Sequence, residues 1–267
     1  MSLLTTRMQQ VIITRPHQDA QAWAGSLEDA GFKVSLFPLL ELSDFMTATE
    51  APKACDLLLQ SQAVMFVSAN AARFLAKALT LTPEWLTHLQ HGARAWCTGP
   101  GTAAALMACG VPESQIDQPA HQAAQLDSES LWQVVSNQVS PGMRVLFIRG
   151  ADESGAIAGR DWLAQQLENA QAQVQAVAAY RRVPTQLSPE LQMQAEAYVE
   201  QGAVWLFSSS AAIESLMSQC PGIDGSKAKA VVTHPRMAQL AQKWGWQQVT
   251  IAAPGIPSML ASIKSLA

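Results

Sequence analysis

The sequence is poor in cysteine, tyrosine, net positive charge and long apolar runs, and each shortage removes a class of protein. Its four cysteines, Cys55, Cys97, Cys109 and Cys220, form no Cys-x-x-Cys pair. That spacing speaks against a disulfide framework or a zinc ribbon and reads as reduced core thiols. The five histidines, His17, His88, His91, His121 and His234, make no HExxH or other ligand-spaced set, so they read as surface or structural groups. A formal net charge of −4 and a pI near 5.7 oppose nucleic-acid binding, whose affinity rests on cationic patches. No apolar run approaches the roughly 18–20 residues that span a bilayer. The opening MSLLTTRMQQ lacks the apolar centre of a secretory signal, so the expectation is the cytoplasm, with no membrane partner. Gly99-x-Gly101 is a fragment of a dinucleotide fingerprint, Gly150 to Gly155 has no Lys-Ser after it, and no GxSxG elbow occurs.

What remains is a chain of 267 residues, 49% hydrophobic and 14% charged, which suits a globular protein of two ordinary domains. The stretch from Val145 to Arg182 is the most legible. VLFI reads as a strand buried on both faces, ending at Arg149 and Gly150, where open α/β sheets place ligands. A helix with Trp162, Leu163, Leu167 and Ala170 on one face follows, and then a strand closed by Tyr180-Arg181-Arg182. The same pattern recurs. Strands at VIIT, VMFV, AWC, VWLF and AVVT each end in a polar loop and lead into a helix. Gly31 stops the first helix and Gly202 a later one, Ser188-Pro189-Glu190 starts another, and Ser43–Pro52 reads as an irregular crossing between domains.

The landmarks repeat at nearly constant offsets. Arg15 and Arg149 differ by 149 − 15 = 134, Ser68 and Ser208 by 208 − 68 = 140, and Thr98 and Thr233 by 233 − 98 = 135. Two half-chains of one α/β topology are implied, with loops on both facing a shared cleft. The matched loops SANAA, TGPGTAAAL, SSSAA and THPRMAQL join strand ends to helix starts, where free N–H groups and the helix dipole favour anions. For any one loop, plain helix capping competes with ligand binding. Trp23, Trp162 and Trp244 fit helix core faces rather than ligand stacking, and Arg181-Arg182 fits solvated charge. Tyr180 at its strand end reads either as a proton donor or as a structural tyrosine.

These residues in this order resemble the uroporphyrinogen-III synthase family. The likeness rests on ITRP, GFKVSLFPLLEL, FVSANA, TGPGTA, VLFIRG with GRDWLAQQL, VAAYRRVP, LFSSSAA and VVTHPRMAQLAQKWGW, nearly the whole chain. The family has no strict signature, so the order of weak motifs supplies the specificity. The resemblance implies an α/β fold of two similar domains, each a parallel sheet flanked by helices. A two-stranded connector would join them, with the chain crossing over twice. Residues 1–38 and 184–267 would form one domain and residues 39–183 the other, with LFPLLEL and AAYRRVP as the connector.

It also implies a cyclising lyase that closes linear hydroxymethylbilane to uroporphyrinogen III with loss of water and inversion of ring D, using no cofactor and no metal. The small-molecule partner would be that linear tetrapyrrole. The chain would be a monomer in transient contact with the preceding enzyme of the pathway, with no nucleic acid involved. Tyr180 is the implied acid. Ser68, Thr102 and Ser208 would bind substrate through hydroxyl or main-chain N–H, beside Ala69, Asn70, Thr98, Gly101 and Ser209 in the same loops, with Gly150 next to Arg149. Arg15 and Arg149 are implied partners for substrate carboxylates. His234-Pro235-Arg236-Met237 departs from the Gly-Pro-Thr-Thr-like loop of many relatives, so Arg236 would supply charge where they supply a hydroxyl, with His234 facing the same site. The competing class is a non-catalytic two-domain clamp for a small polyanion.

Overall fold

The computed structural model describes residues 8–120, 126–157, 162–253 and 255–266; His121 and the Gly159–Asp161 part of GRDWLAQQL lie outside them. The chain opens with β1 (Gln10–Ile13), α1 (His17–Asp29), β2 (Lys33–Leu36), β3 (Leu40–Asp44) and α2 (Glu50–Leu59). Next come β4 (Ala63–Phe66), α3 (Ala69–Ala78), α4 (Glu84–His91), β5 (Arg94–Cys97), α5 (Pro100–Ala108) and β6 (Ile116–Asp117). The middle is α6 (Ser128–Val135), β7 (Arg144–Ala151), α7 (Trp162–Asn169) and β8 (Gln173–Pro184). The last part holds α8 (Pro189–Glu200), β9 (Val204–Phe207), α9 (Ser210–Gln219) and β10 (Lys229–Val232). It closes with α10 (Pro235–Lys243), β11 (Gln248–Ile251) and α11 (Ile256–Leu266). Among the described residues no helix is long and apolar enough to cross a membrane.

Two compact units result: Met1–Glu41 with Val183–Ala267, and Leu42–Arg182. The chain passes between them within β3 and within β8, which are neighbours in one sheet. Half of the segment expected to be irregular is therefore regular, since β3 runs to Asp44 and α2 begins at Glu50. Thr47 N–H donates to the Glu50 carboxylate at 2.9 Å and starts that helix.

The first unit holds a sheet in the order β2-β1-β9-β10-β11, all parallel. The second holds β3-β8-β7-β4-β5-β6, with β8 through β6 parallel. Their short central strands are apolar at successive positions because helices cover both faces. In the first unit Ile12, Trp205, Phe207 and Val232 face one core, while Val11, Ile13, Leu206 and Val231 face the other. In the second, Val64, Phe66, Leu146 and Ile148 face one core, and Met65, Trp96, Val145 and Phe147 the other.

Strand register makes the repeat quantitative. Ile13 pairs with Leu206 and Phe147 with Met65, and Leu206 and Met65 pair in turn with Val231 and Trp96. The strand offsets are therefore 147 − 13 = 134, 206 − 65 = 141 and 231 − 96 = 135. Arg15 and Arg149 are equivalent, as are Thr98 and Thr233. Ser68 is matched by Ser209, not Ser208; each is the N-cap of the next helix. The difference is one residue, which the spacing of serines alone could not resolve.

Helix ends follow one scheme. At the end of α10, Gly245 N–H donates to Gln242 O at 2.9 Å and Trp246 N–H to Ala241 O at 3.1 Å, with Gly245 at φ 90°. This left-handed turn swings Trp246 into the core, where it is 1% exposed, and leaves Trp244 at 42%. The reading of Trp244 as a core residue is corrected accordingly. The same pair of bonds closes α1 at Gly31 (φ 87°), with Phe32 buried behind it. At the equivalent end of α7 the left-handed residue is Gln171, at φ 63°. A side chain in that region is strained. Gln171→Gly is expected to raise stability by about 0.5–1 kcal/mol, read as a higher denaturant midpoint with an unchanged slope. A lower midpoint would show that the Gln171 side chain contributes more than its backbone costs.

Candidate functional site at the carboxyl ends of the strands

In the second unit, the placement of Tyr180 at the sheet's carboxyl edge turns on a bulge. Strands β7 and β8 run in register to Arg149 opposite Ala178; then Gly150 lies opposite Tyr180, so Ala179 is an extra residue. Simple alternation from Val177 and Ala179 would send Tyr180 to the opposite face. The bulge keeps it on the same one, so Ala179 and Tyr180 both join the core of Phe66, Leu146 and Ile148. The ring crosses Gly150, where a Cβ would lie 2.5 Å from Tyr180 Cζ. Only glycine leaves that room. Phe74 of α3 packs on the ring's side, with centroids 5.4 Å apart.

Tyr180 is 1% exposed, and its hydroxyl has two neighbours. Arg182 Nη2 donates to Tyr180 Oη at 2.7 Å, and Ser68 Oγ lies 3.2 Å from the same oxygen. Ser68 ends the strand-to-helix loop and accepts from Ala71 N–H at 3.1 Å, capping α3. Three of the expected site residues, Ser68, Gly150 and Tyr180, are thus in one cluster. Ala69 and Asn70 form the first turn of the same helix, half-buried, with Asn70 Oδ1 accepting from Arg73 at 3.1 Å. Arg182, which its sequence context presents as solvated charge, is instead bonded to Tyr180. The signal was available, because residues two apart on a strand share a face.

The remaining expected residues of this unit make none of the hydrogen bonds that join Ser68, Tyr180 and Arg182. Arg149 is 5% exposed, and its guanidinium sits 4.8 Å from the Phe147 ring, on the opposite face of the sheet. Burial there, not the open strand end expected of a carboxylate partner, is what the fold provides. Thr98 is half-buried, Gly101 exposed and Thr102 9% exposed within the first turn of α5, whose N-cap Gly99 has no side chain to offer. Beneath them, burial pushes the Cys97 thiol up to about 11, and burial does the same to Cys220 in the first unit. Both stay protonated near neutral pH, as core thiols should. Among the described residues no group of three or more His, Cys, Asp or Glu could hold a metal ion.

In the first unit, Arg15 Nε donates to Ser208 Oγ at 3.2 Å, and its guanidinium lies 4.4 Å from the centre of the Trp23 ring. Burial lowers its affinity for the proton, with Asp19 opposing; an arginine remains charged regardless. Trp23, read as core, thus has one face on a cation. Ser209 caps α9 by accepting from Ala212 N–H at 3.1 Å. His234 caps α10, its Nδ1 accepting from Arg236 N–H at 3.1 Å, and both His234 and Arg236 are exposed. A histidine cap carries no strong sequence signal.

The sequence model described as "HEM4: Uroporphyrinogen-III synthase HemD" matches residues 21–261. The chain belongs to the uroporphyrinogen-III synthase family. A uroporphyrinogen-III synthase from Chlorobaculum parvum is 28% identical over 151 residues, a match spanning 56% of this chain and 56% of that relative. Among solved structures, the uroporphyrinogen-III synthetase of Helicobacter pylori aligns at TM-score 0.63 and 16% identity, over 97% of this chain and all of that one (100%). A mutant uroporphyrinogen III synthase from Thermus thermophilus aligns at TM-score 0.58 and 18% identity, covering 97% and 98%. At these identities the structures speak for the fold.

The cluster's dependence on Gly150 can be measured. Gly150→Ala is expected to destabilise the protein by about 1–3 kcal/mol, since overpacked side chains must move off their preferred rotamers. In a Tyr180→Ala background most of that loss should vanish, because the colliding ring is gone. Equal losses in both backgrounds, by chemical denaturation, would show that the glycine accommodates something else.

Proposed function

We propose that this chain is a cyclising hydro-lyase that converts linear hydroxymethylbilane to uroporphyrinogen III, releasing water and inverting ring D. The observation that carries the reading is the hydrogen-bonded pair Ser68–Tyr180, backed by Arg182, at the carboxyl edge of a parallel sheet in a chain of this family. The substrate's hydroxyl is a poor leaving group until it gains a proton. A hydroxyl donor at that point lets it depart as water and leaves a cationic azafulvene. Fixed dipoles can stabilise that cation as it forms. The rest of the task is positional: ring D must be held so that the inverting closure, through a spiro intermediate, outruns direct closure. A proton lost on rearomatisation balances the one donated, so the net change is one water.

The acid is best written as the pair. Tyr180 is covered, whereas Ser68 is half-buried at the helix start, so Ser68 is the member that meets substrate and Tyr180 stands behind it. The substrate's acetate and propionate groups call for donors. In the second unit these are Asn70, Thr98, Gly101 and Thr102 with the first-turn amides of α3 and α5; in the first they are Arg15, Ser208, Ser209, His234 and Arg236. The reading assigns no cofactor, and Gly150 acts by making room for the Tyr180 ring.

Purified protein given freshly generated hydroxymethylbilane, with the products oxidised and separated by chromatography, should yield mainly the type III isomer. Type I alone from folded protein, matching the enzyme-free control, would sink the proposal and favour a binding clamp. Ser68→Ala and Tyr180→Phe should each slow turnover by roughly 10–100-fold with the circular dichroism spectrum unchanged. Full turnover in both would remove the pair from the chemistry.

A further inference from the structure

Granting that reading, we infer that Arg182 is a positioning residue that sets the direction of the hydroxyl chain, so that Ser68 presents its proton outward. A phenol has one proton to give and two lone pairs; arginine only donates. The guanidinium of Arg182 fills one lone pair of Tyr180 Oη at 2.7 Å. Ala71 N–H fills one lone pair of Ser68 Oγ at 3.1 Å. One hydrogen remains to be shared across the 3.2 Å between the two hydroxyls. Were Ser68 the donor, the phenolic proton would have no acceptor among the described residues, in a side chain 1% exposed. Leaving a buried donor unmade is costly. Tyr180 therefore donates to Ser68, and Ser68, half-buried, keeps its own proton for an acceptor at the sheet edge.

The order of donation runs from Arg182 to Tyr180 to Ser68. Among the described residues no carboxylate lies within ion-pair distance of Arg182. Its guanidinium also lies 5.2 Å from the centre of the Tyr180 ring, which holds both groups together. Without Arg182, the open lone pair of Tyr180 can accept from Ser68, and the outward proton is lost.

The test is a double-mutant cycle on Arg182→Gln and Tyr180→Phe, with kcat and KM measured on hydroxymethylbilane. Arg182→Gln should lower kcat about tenfold with KM within about twofold, the mark of an interaction used in the transition state. In the Tyr180→Phe background the same change should cost less than about twofold, because the two act as one unit. Arg182→Lys, which keeps a cationic donor without the fork, should recover part of the loss. Losses that multiply, or a KM raised about tenfold with kcat intact, would make Arg182 a direct carboxylate partner and overturn the inference. A neutron structure supplies a readout independent of turnover, and so of the proposed activity. The Tyr180 deuteron directed at Ser68 is expected, and a Ser68 deuteron directed at Tyr180 would overturn the assignment. Absence of type III product from the wild type with the expected deuteron in place would instead be a failure of the functional reading alone.

Discussion

A missing side chain at Gly150 is the constraint on which the polar cluster of the second unit rests. Strand β8 gains one residue against β7 there, and the gain keeps Tyr180 on the face of Ala179. The ring can lie across the strand only because nothing projects from Gly150. From that placement the rest follows: Phe74 meets the ring, Ser68 at the start of α3 meets the hydroxyl, and Arg182, two residues on, reaches back to the same oxygen. A bulge that bends a strand and re-aims one side chain is a small local change. Here it decides whether a hydroxyl is packed in one core or the other.

The internal repeat sharpens the point by what it does not repeat. Both units carry the same five-strand order, with offsets of 134, 141 and 135 between equivalent strands. In the first unit, the stretch after β2 that corresponds to the end of β8 puts Phe37, Leu39 and Leu40 into the core. No hydroxyl or guanidinium stands in that place. Gly150 is matched by Pro16, since 150 − 134 = 16. One fold has thus been used twice, with a polar cluster built at only one of the two strand ends. The other unit offers Arg15 on Ser208 and two capped helix starts.

Much of this was legible because it is local. VIIT, VMFV, VLFI and VWLF are too apolar for any strand with a wet face, and Gly31, Gly110, Gly202 and Gly245 all adopt positive φ where helices stop. Arg15 and Arg149 could be matched by counting, because no insertion separates them from their strands. Three things could not be read. The bulge depends on the partner strand, so period-two alternation carries no trace of it. Ser208 and Ser209 are chemically alike, and only the capping bond distinguishes the one that matches Ser68. Arg149 stands at a strand end in sequence, yet packs on Phe147 and is buried, because β7 continues two residues beyond it to Ala151.

Capping and ligand binding are compatible at Ser68, Ser209 and His234, because each cap occupies one acceptor and no donor of the side chain. A serine hydroxyl has two lone pairs and one proton. Capping α3 uses one lone pair of Ser68 and the tyrosine uses the other, so the proton is left over. A neutral histidine that caps through Nδ1, as His234 does, must carry its proton on Nε2, and that ring is exposed. In each case the helix consumes acceptors and leaves donors pointing away from it. Within each unit, such a loop at the carboxyl end of a parallel strand can therefore cap its helix and still keep a donor for an anion, and a chain of net charge −4 can do this without a cationic patch.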